Sequence, residues 1–290
     1  MVVHHPTEET TQMFPNLTAP QKAAGYYLIA LSMSTVLALV VPSDDGAALF
    51  GMFSPLVAVL VMLLVVTPDG RRREHWRSLG LHRLGLRTWP VAFLLPVVIL
   101  AVGYLLAAAT GVASFDLGAM AETDVVGDFV IGLAITVILG LGEEIGWRGY
   151  LLPLVRQSWP RAGALVVGFL HGVWHLPVLL LTGYLAGIPG SPFVIIPVFL
   201  VTLTAAGGVY AWLRDRSGSV WSVVLMHQAF NTVNEAVLRG ATVAAPVAFT
   251  YTTGETGVVT SALVIAVAFG VSGMLPHHRG DVRTATAVTV

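Results

Sequence analysis

Long apolar runs, separated by short polar segments, set the pattern of this 290-residue chain. A helix needs about 20 mostly apolar residues to cross a bilayer. Eight runs approach that length, at 23–41, 47–66, 89–109, 129–142, 162–181, 193–213, 220–238 and 257–274. The fourth is short, and it reaches spanning length only by carrying the polar stretch 143–148 to its end. The pattern predicts an all-α polytopic membrane protein of about eight transmembrane helices. Its expected units are a cytosolic segment 1–22, a helical domain 23–274 and a cytosolic tail 275–290. The segment before the first run holds Glu8 and Glu9 and is not the basic leader of a cleaved signal peptide. No internal repeat stands out. Pro177 is expected to kink the fifth helix.

Composition narrows the class. The chain is 56% hydrophobic and 11% charged, against about 25% charged in a typical soluble domain. So few charges cannot cover a soluble surface of this size, which excludes a soluble enzyme and a disordered chain. The net charge of −1 gives nothing that draws the chain to phosphates, so no nucleic-acid partner is expected. Cysteine is absent, which excludes disulfides, thiolate nucleophiles and cysteine-based metal sites. Any metal must sit on His, Asp, Glu or Asn.

The charges also orient the chain. With the N-terminus in the cytosol and eight crossings, Arg239 is the only one of the 15 Lys and Arg that falls outside. The outer loops collect Asp44, Asp45, Asp116, Glu122, Asp124, Asp128 and Glu255. Cationic loops stay on the cytosolic side during insertion. The expectation is an integral protein of the plasma membrane with both termini cytosolic. Trp89, Trp159, Trp212 and Trp221 lie near the expected span ends, where interfacial anchors belong.

A few ionisable residues fall inside the runs and cluster. Glu143 and Glu144 end the fourth, His171 and His175 lie in the fifth, and His227 and Glu235 lie in the seventh beside Asn231 and Asn234. A charged group at mid-bilayer costs about 2.5–3.5 kcal/mol by insertion scales, so such residues are functional candidates by default. Glu144 and Arg148 are i and i+4, share a helix face and suit a carboxylate–guanidinium pair. Glu143 points about 100° away and is free for another role. His171 and His175 share a face in the same way, as do His227 and Asn231. Three helices thus each offer a polar stripe. Hydrolysis of a peptide bond needs such a set: a base or metal to activate water, and donors to hold the oxyanion.

Plainer readings stand beside these. Glu144–Arg148 suits a structural pair. Each histidine alone suits a packing role, and His171 is read as occupying an aromatic packing position. Asn234 and Glu235 are read as interfacial or interhelical hydrogen-bonding groups. HExxH, GxGD and Walker motifs are absent, and no clear rhomboid-type serine signature is present. A non-proteolytic transporter or scaffold using the same Glu and His residues is the alternative.

The order EExxxR, aromatic-xxxH, HxxxN on successive spans resembles the CAAX-protease and bacteriocin-processing family, also called CPBP or Abi intramembrane proteases. The motifs read Glu143-Glu144-Ile-Gly-Trp-Arg148, His171-Gly-Val-Trp-His175 and His227-Gln-Ala-Phe-Asn231. The resemblance covers roughly residues 127–238. It implies an eight-helix fold, a site opening toward the cytosol or inner leaflet, and endopeptidase activity on a membrane-associated or lipidated, CAAX-like substrate. It implies Glu143, His175, His227 and Asn231 as the catalytic set, with Glu144 and Arg148 in support. A divalent metal such as zinc on Glu143, His175 and His227, or a glutamate-activated water without one, both remain open. The departure is His171, which stands where that motif usually has an aromatic residue.

Overall fold

The computed structural model describes residues 17–66, 72–116, 118 and 125–273. The expected units 1–22 and 275–290 lie largely outside the described residues. Helix α1 (Ala19–Val40) begins earlier than its apolar run. Thr18 and Gln21 form a capping box, with Pro20 in the first turn, and these satisfy the first free N–H groups. The second run is divided into α2 (Asp44–Gly51) and α3 (Ser54–Val61), which continues into a wide turn at Met62–Val66. The Ser43 hydroxyl accepts from Gly46 N–H at 3.1 Å and caps α2. Pro55, which lacks an N–H, restarts the helix at α3.

After α4 (Arg72–Ser78) come α5 (Trp89–Ala109), α6 (Val125–Glu144) and α7 (Leu152–Ser158). The remaining helices are α8 (Gly163–Leu181), α9 (Pro192–Ser217), α10 (Val220–Arg239), α11 (Pro246–Thr252) and α12 (Val258–Ser272). Among the described residues, six helical segments are long and apolar enough to cross a membrane, and α12 is a shorter apolar helix. The eight expected spans are thus six, one short helix, and α10. The 20 residues of α10 match a span in length, but His227, Gln228, Asn231, Asn234 and Glu235 lower its hydropathy. Helix α8 runs without interruption through Pro177.

Among the packings, α9 lies on α8 and α12, α10 lies on α5 and α6, and α1 lies on α3 and α8. Close approach sets the α8–α9 crossing. A Cβ at Gly168 would stand 2.5 Å from the Leu203 carbonyl oxygen, and one at Gly207 would stand 2.6 Å from that of Ala164. Only glycine allows two backbones this near. Tyr26, Met62, Leu79, Trp147 and Leu151 form a fully buried core around the α6–α7 junction.

The two ends of the bundle differ. At the arginine-rich end, the connection 79–88 lies across α9 and α10. Trp221 Nε1 donates to the Leu81 carbonyl at 3.0 Å, Ser219 Oγ to that of Arg83 at 2.5 Å, and Arg214 to that of Ser78 at 2.9 Å. Arg156 pairs with Asp215 at 2.8 Å. The opposite end is made of loops. There two short strands, β1 (Ala113–Phe115) and β2 (Ala241–Val243), pair antiparallel with Ser114 opposite Thr242. This small addition to the all-α fold joins segments too far apart in sequence for a local pattern to foretell.

Candidate active site

Between α6 and α7 the helix widens into a π segment, Ile145–Leu151. The Leu152 N–H reaches back five residues to the Trp147 carbonyl. Pro153 then offers no N–H, so the ordinary ladder cannot close there. Single π turns inside α-helices recur at functional sites because they redirect side chains. A Cβ at Gly146 would fall 2.6 Å from Pro55 Cβ and collide with the Tyr26 hydroxyl, so α1 and α3 clamp this turn.

The two glutamates at the end of α6 have separate surroundings. Glu144 is fully buried; its Oε1 accepts from Arg148 Nη1 at 2.8 Å and from His227 Nδ1 at 2.9 Å. Glu144 Oε2 and Arg148 Nη2 are buried with no hydrogen-bond partner among the described residues. The guanidinium lies 4.5 Å over the Tyr210 ring, a cation–π contact. Glu143, 1% exposed, meets His171 Nε2 through Oε2 at 2.9 Å.

These contacts assign the imidazole protons. Arg148 has only protons to offer His171 Nδ1, 3.4 Å away. That nitrogen is therefore an acceptor, and the His171 proton sits on Nε2, donated to Glu143. His227 donates from Nδ1 to the Glu144 carboxylate. Its Nε2 then carries a lone pair with no partner among the described residues, and His227 lines the cavity.

His171 does pack among aromatic rings, with centroids 5.0 Å from Trp147 and 5.9 Å from Trp174. The hydrogen bond to Glu143 is the part that a packing role leaves out. His175 lies one turn on, 5.1 Å from the His171 ring and 5.5 Å from Phe199. Asn231 stands one turn beyond His227 and donates a long 3.4 Å hydrogen bond to Gln228. Asn234 accepts from the Tyr104 hydroxyl, an interhelical bond between α10 and α5.

Metal-ligating atoms of Glu143, His171 and His175 all lie within 4.8 Å of one another. Two imidazoles and a carboxylate are a donor set that zinc accepts. The residues fit such an ion, provided that the Glu143–His171 proton is displaced. This trio holds His171 where the one considered from sequence held His227.

A cavity of about 370 Å³ opens from this cluster. Glu143, His171, His175, His227 and Asn231 all line it. It runs toward the loop end, reaching Met52, Tyr184, Glu235 and Glu255, and not toward the arginine-rich end. The resemblance implied an opening toward the cytosol or the inner leaflet. Burial pushes the Glu255 carboxyl above its ordinary range, and His227 draws it partly back. Sequence reasoning had no signal for Tyr210 beneath Arg148 or for Glu255 in the cavity, since both come from elements distant in the chain.

No curated protein matches the chain. Residues 125–233, from α6 into α10, match the family described as Type II CAAX prenyl endopeptidase Rce1-like. That stretch contains all three polar motifs, so over this core the chain is similar to that family of membrane proteases.

Proposed function

We propose that the chain is an intramembrane endopeptidase that hydrolyses a peptide bond in a hydrophobic or lipidated, membrane-associated substrate. The observation that carries this reading is the meeting of Glu143, His171, His175, His227 and Asn231 on one cavity wall, with Glu144 and Arg148 sealed behind them. Glu143 takes a proton from a water and later delivers it to the leaving amine. His171 holds the Glu143 carboxylate in position. His227, oriented by Glu144, presents Nε2 to the same water. Asn231 donates from its amide to the oxyanion of the tetrahedral intermediate. A zinc-type ion on Glu143, His171 and His175 would supply Lewis acidity and lower the water pKa. The protein sits in the plasma membrane with both termini in the cytosol, and substrate reaches the cavity from the bilayer.

Quenched peptides incubated with the purified protein in detergent, with and without chelator, test the activity. Cleavage that disappears in Glu143→Gln supports it. Intact peptides together with substrate-dependent ion flux in liposomes would favour a transporter instead. Orientation is tested separately in intact cells. A cysteine at Ser114 should react with an impermeant thiol reagent, and one at Ser78 should not.

A further inference from the structure

Gln228 follows His227 on α10, at a position that the polar motifs leave open. It is 1% exposed and is not among the residues that line the cavity. Its amide is pressed against α6 at Gly140. A Cβ there would stand 2.1 Å from Gln228 Nε2 and 2.6 Å from its Cδ, so the side chain fits only because residue 140 is glycine. Gly140 precedes Glu143 by three residues on the same helix. Beside this contact the Thr136 and Thr232 hydroxyls meet at 3.1 Å, which further fixes the register of α10 on α6.

Packing does not account for this glutamine. Its Nε2 is buried with no hydrogen-bond partner among the described residues. A buried amide donor without a partner is destabilising, and a methionine of similar length would fill the space without that cost. The contact that Gln228 does make is through Oε1, which accepts from Asn231 Nδ2 at 3.4 Å. That contact has a parallel one turn back, where the Glu144 carboxylate accepts from His227 Nδ1. His227 and Asn231 line the cavity, and Glu144 and Gln228 do not. Each of these two cavity groups on α10 thus gives a proton to a buried acceptor behind it.

An amide nitrogen carries two protons. Gln228 takes one from Asn231 and leaves the other for the cavity. Without that acceptor the Asn231 amide can turn over and present its carbonyl oxygen, which repels an oxyanion. We infer that Gln228 is a positioning residue that holds the Asn231 amide with an N–H toward the reacting carbonyl. The inference rests on the endopeptidase reading, in which Asn231 is the oxyanion donor.

The test compares a leucine-rich peptide with its phosphinic analogue, in which a tetrahedral phosphorus bearing an anionic oxygen replaces one amide. Affinities are read by fluorescence anisotropy in a neutral detergent, on the Glu143→Gln protein so that no peptide is consumed. The phosphinic analogue should bind about 100-fold tighter than the amide peptide, as mimics of a transition state do. Gln228→Met should reduce that preference about tenfold, short of the 100- to 1000-fold expected for loss of the donor itself. The amide peptide should bind as before, and the melting temperature should hold or rise. In the Asn231→Ala protein, Gln228→Met should change nothing further, because it acts through Asn231. An unchanged preference in Gln228→Met overturns the inference. So does an equal loss for both ligands with a lower melting temperature, or the same tenfold loss in the Asn231→Ala protein. A phosphinic analogue bound no better than the amide removes the oxyanion role of Asn231 and the inference with it. Cleavage by the protein with Glu143 intact separates the two readings. The expected pattern of affinities with every peptide left intact removes the endopeptidase and keeps the positioning role. Cleavage at full kcat in Gln228→Met does the reverse.

Discussion

Glu143 and Glu144 are neighbours in sequence and opposites in environment. One carboxylate is fully buried at the α6–α7 junction, held by Arg148 and His227, and is not among the residues that line the cavity. The other is equally buried, yet it shares a single hydrogen bond with His171 and lines a space large enough for a ligand. The difference arises from a rotation of about 100° between successive helical residues. It teaches that burial alone does not separate a structural carboxylate from a reactive one. What separates them is whether the partners are already in place or must arrive with substrate and water.

The sharpest way to break this comparison is Glu143→Gln. Glutamine keeps the volume but takes no proton, so turnover on a cleaved peptide should fall about 100- to 10,000-fold. Thermal unfolding in the same detergent should barely move. Normal turnover in this variant would overturn the assignment.

Glu144→Gln should behave the other way. It leaves Arg148 buried without its counter-charge, a loss of about 3–5 kcal/mol. The expected signature is a clear drop in melting temperature, matched by Arg148→Gln. The double variant should be milder than the sum, because each single change strands the other partner. If Glu144→Gln abolishes turnover at an unchanged melting temperature, the two carboxylates have exchanged roles.

Asn231→Ala sharpens the cavity side. A lost oxyanion donor lowers kcat by about 100- to 1000-fold. KM should change far less, since the oxyanion forms only during reaction. An effect confined to KM would make Asn231 a binding group.

Smallest in effect is the scaffold that sets both environments. Gly207→Ala forces a methyl group against the Ala164 carbonyl and should cost about 1–3 kcal/mol, read as a lower melting temperature. Activity at a permissive temperature should persist. Unaltered stability would mean that α8 and α9 can part without disturbing the rest.

Local chemistry determined a good deal of this protein by itself. Apolar runs of bilayer length dictated helices because an unpaired backbone group in lipid costs several kcal/mol. The i, i+4 spacing paired Glu144 with Arg148, and the scarcity of intramembrane charge singled out the three polar stripes. These are properties of one helix at a time, and one helix is legible from its own residues. The partners between helices were decided only by the tertiary structure: His171 bonded to Glu143, His227 to Glu144, and Tyr210 beneath Arg148. So were the seating of the 79–88 connection across α9 and α10, the β1–β2 pairing, and Glu255 brought to the cavity from a loop 112 residues after Glu143. Each depends on how far one helix is rotated and shifted against another. That is set by the summed packing of many apolar contacts and a few glycine crossings, which no local pattern records.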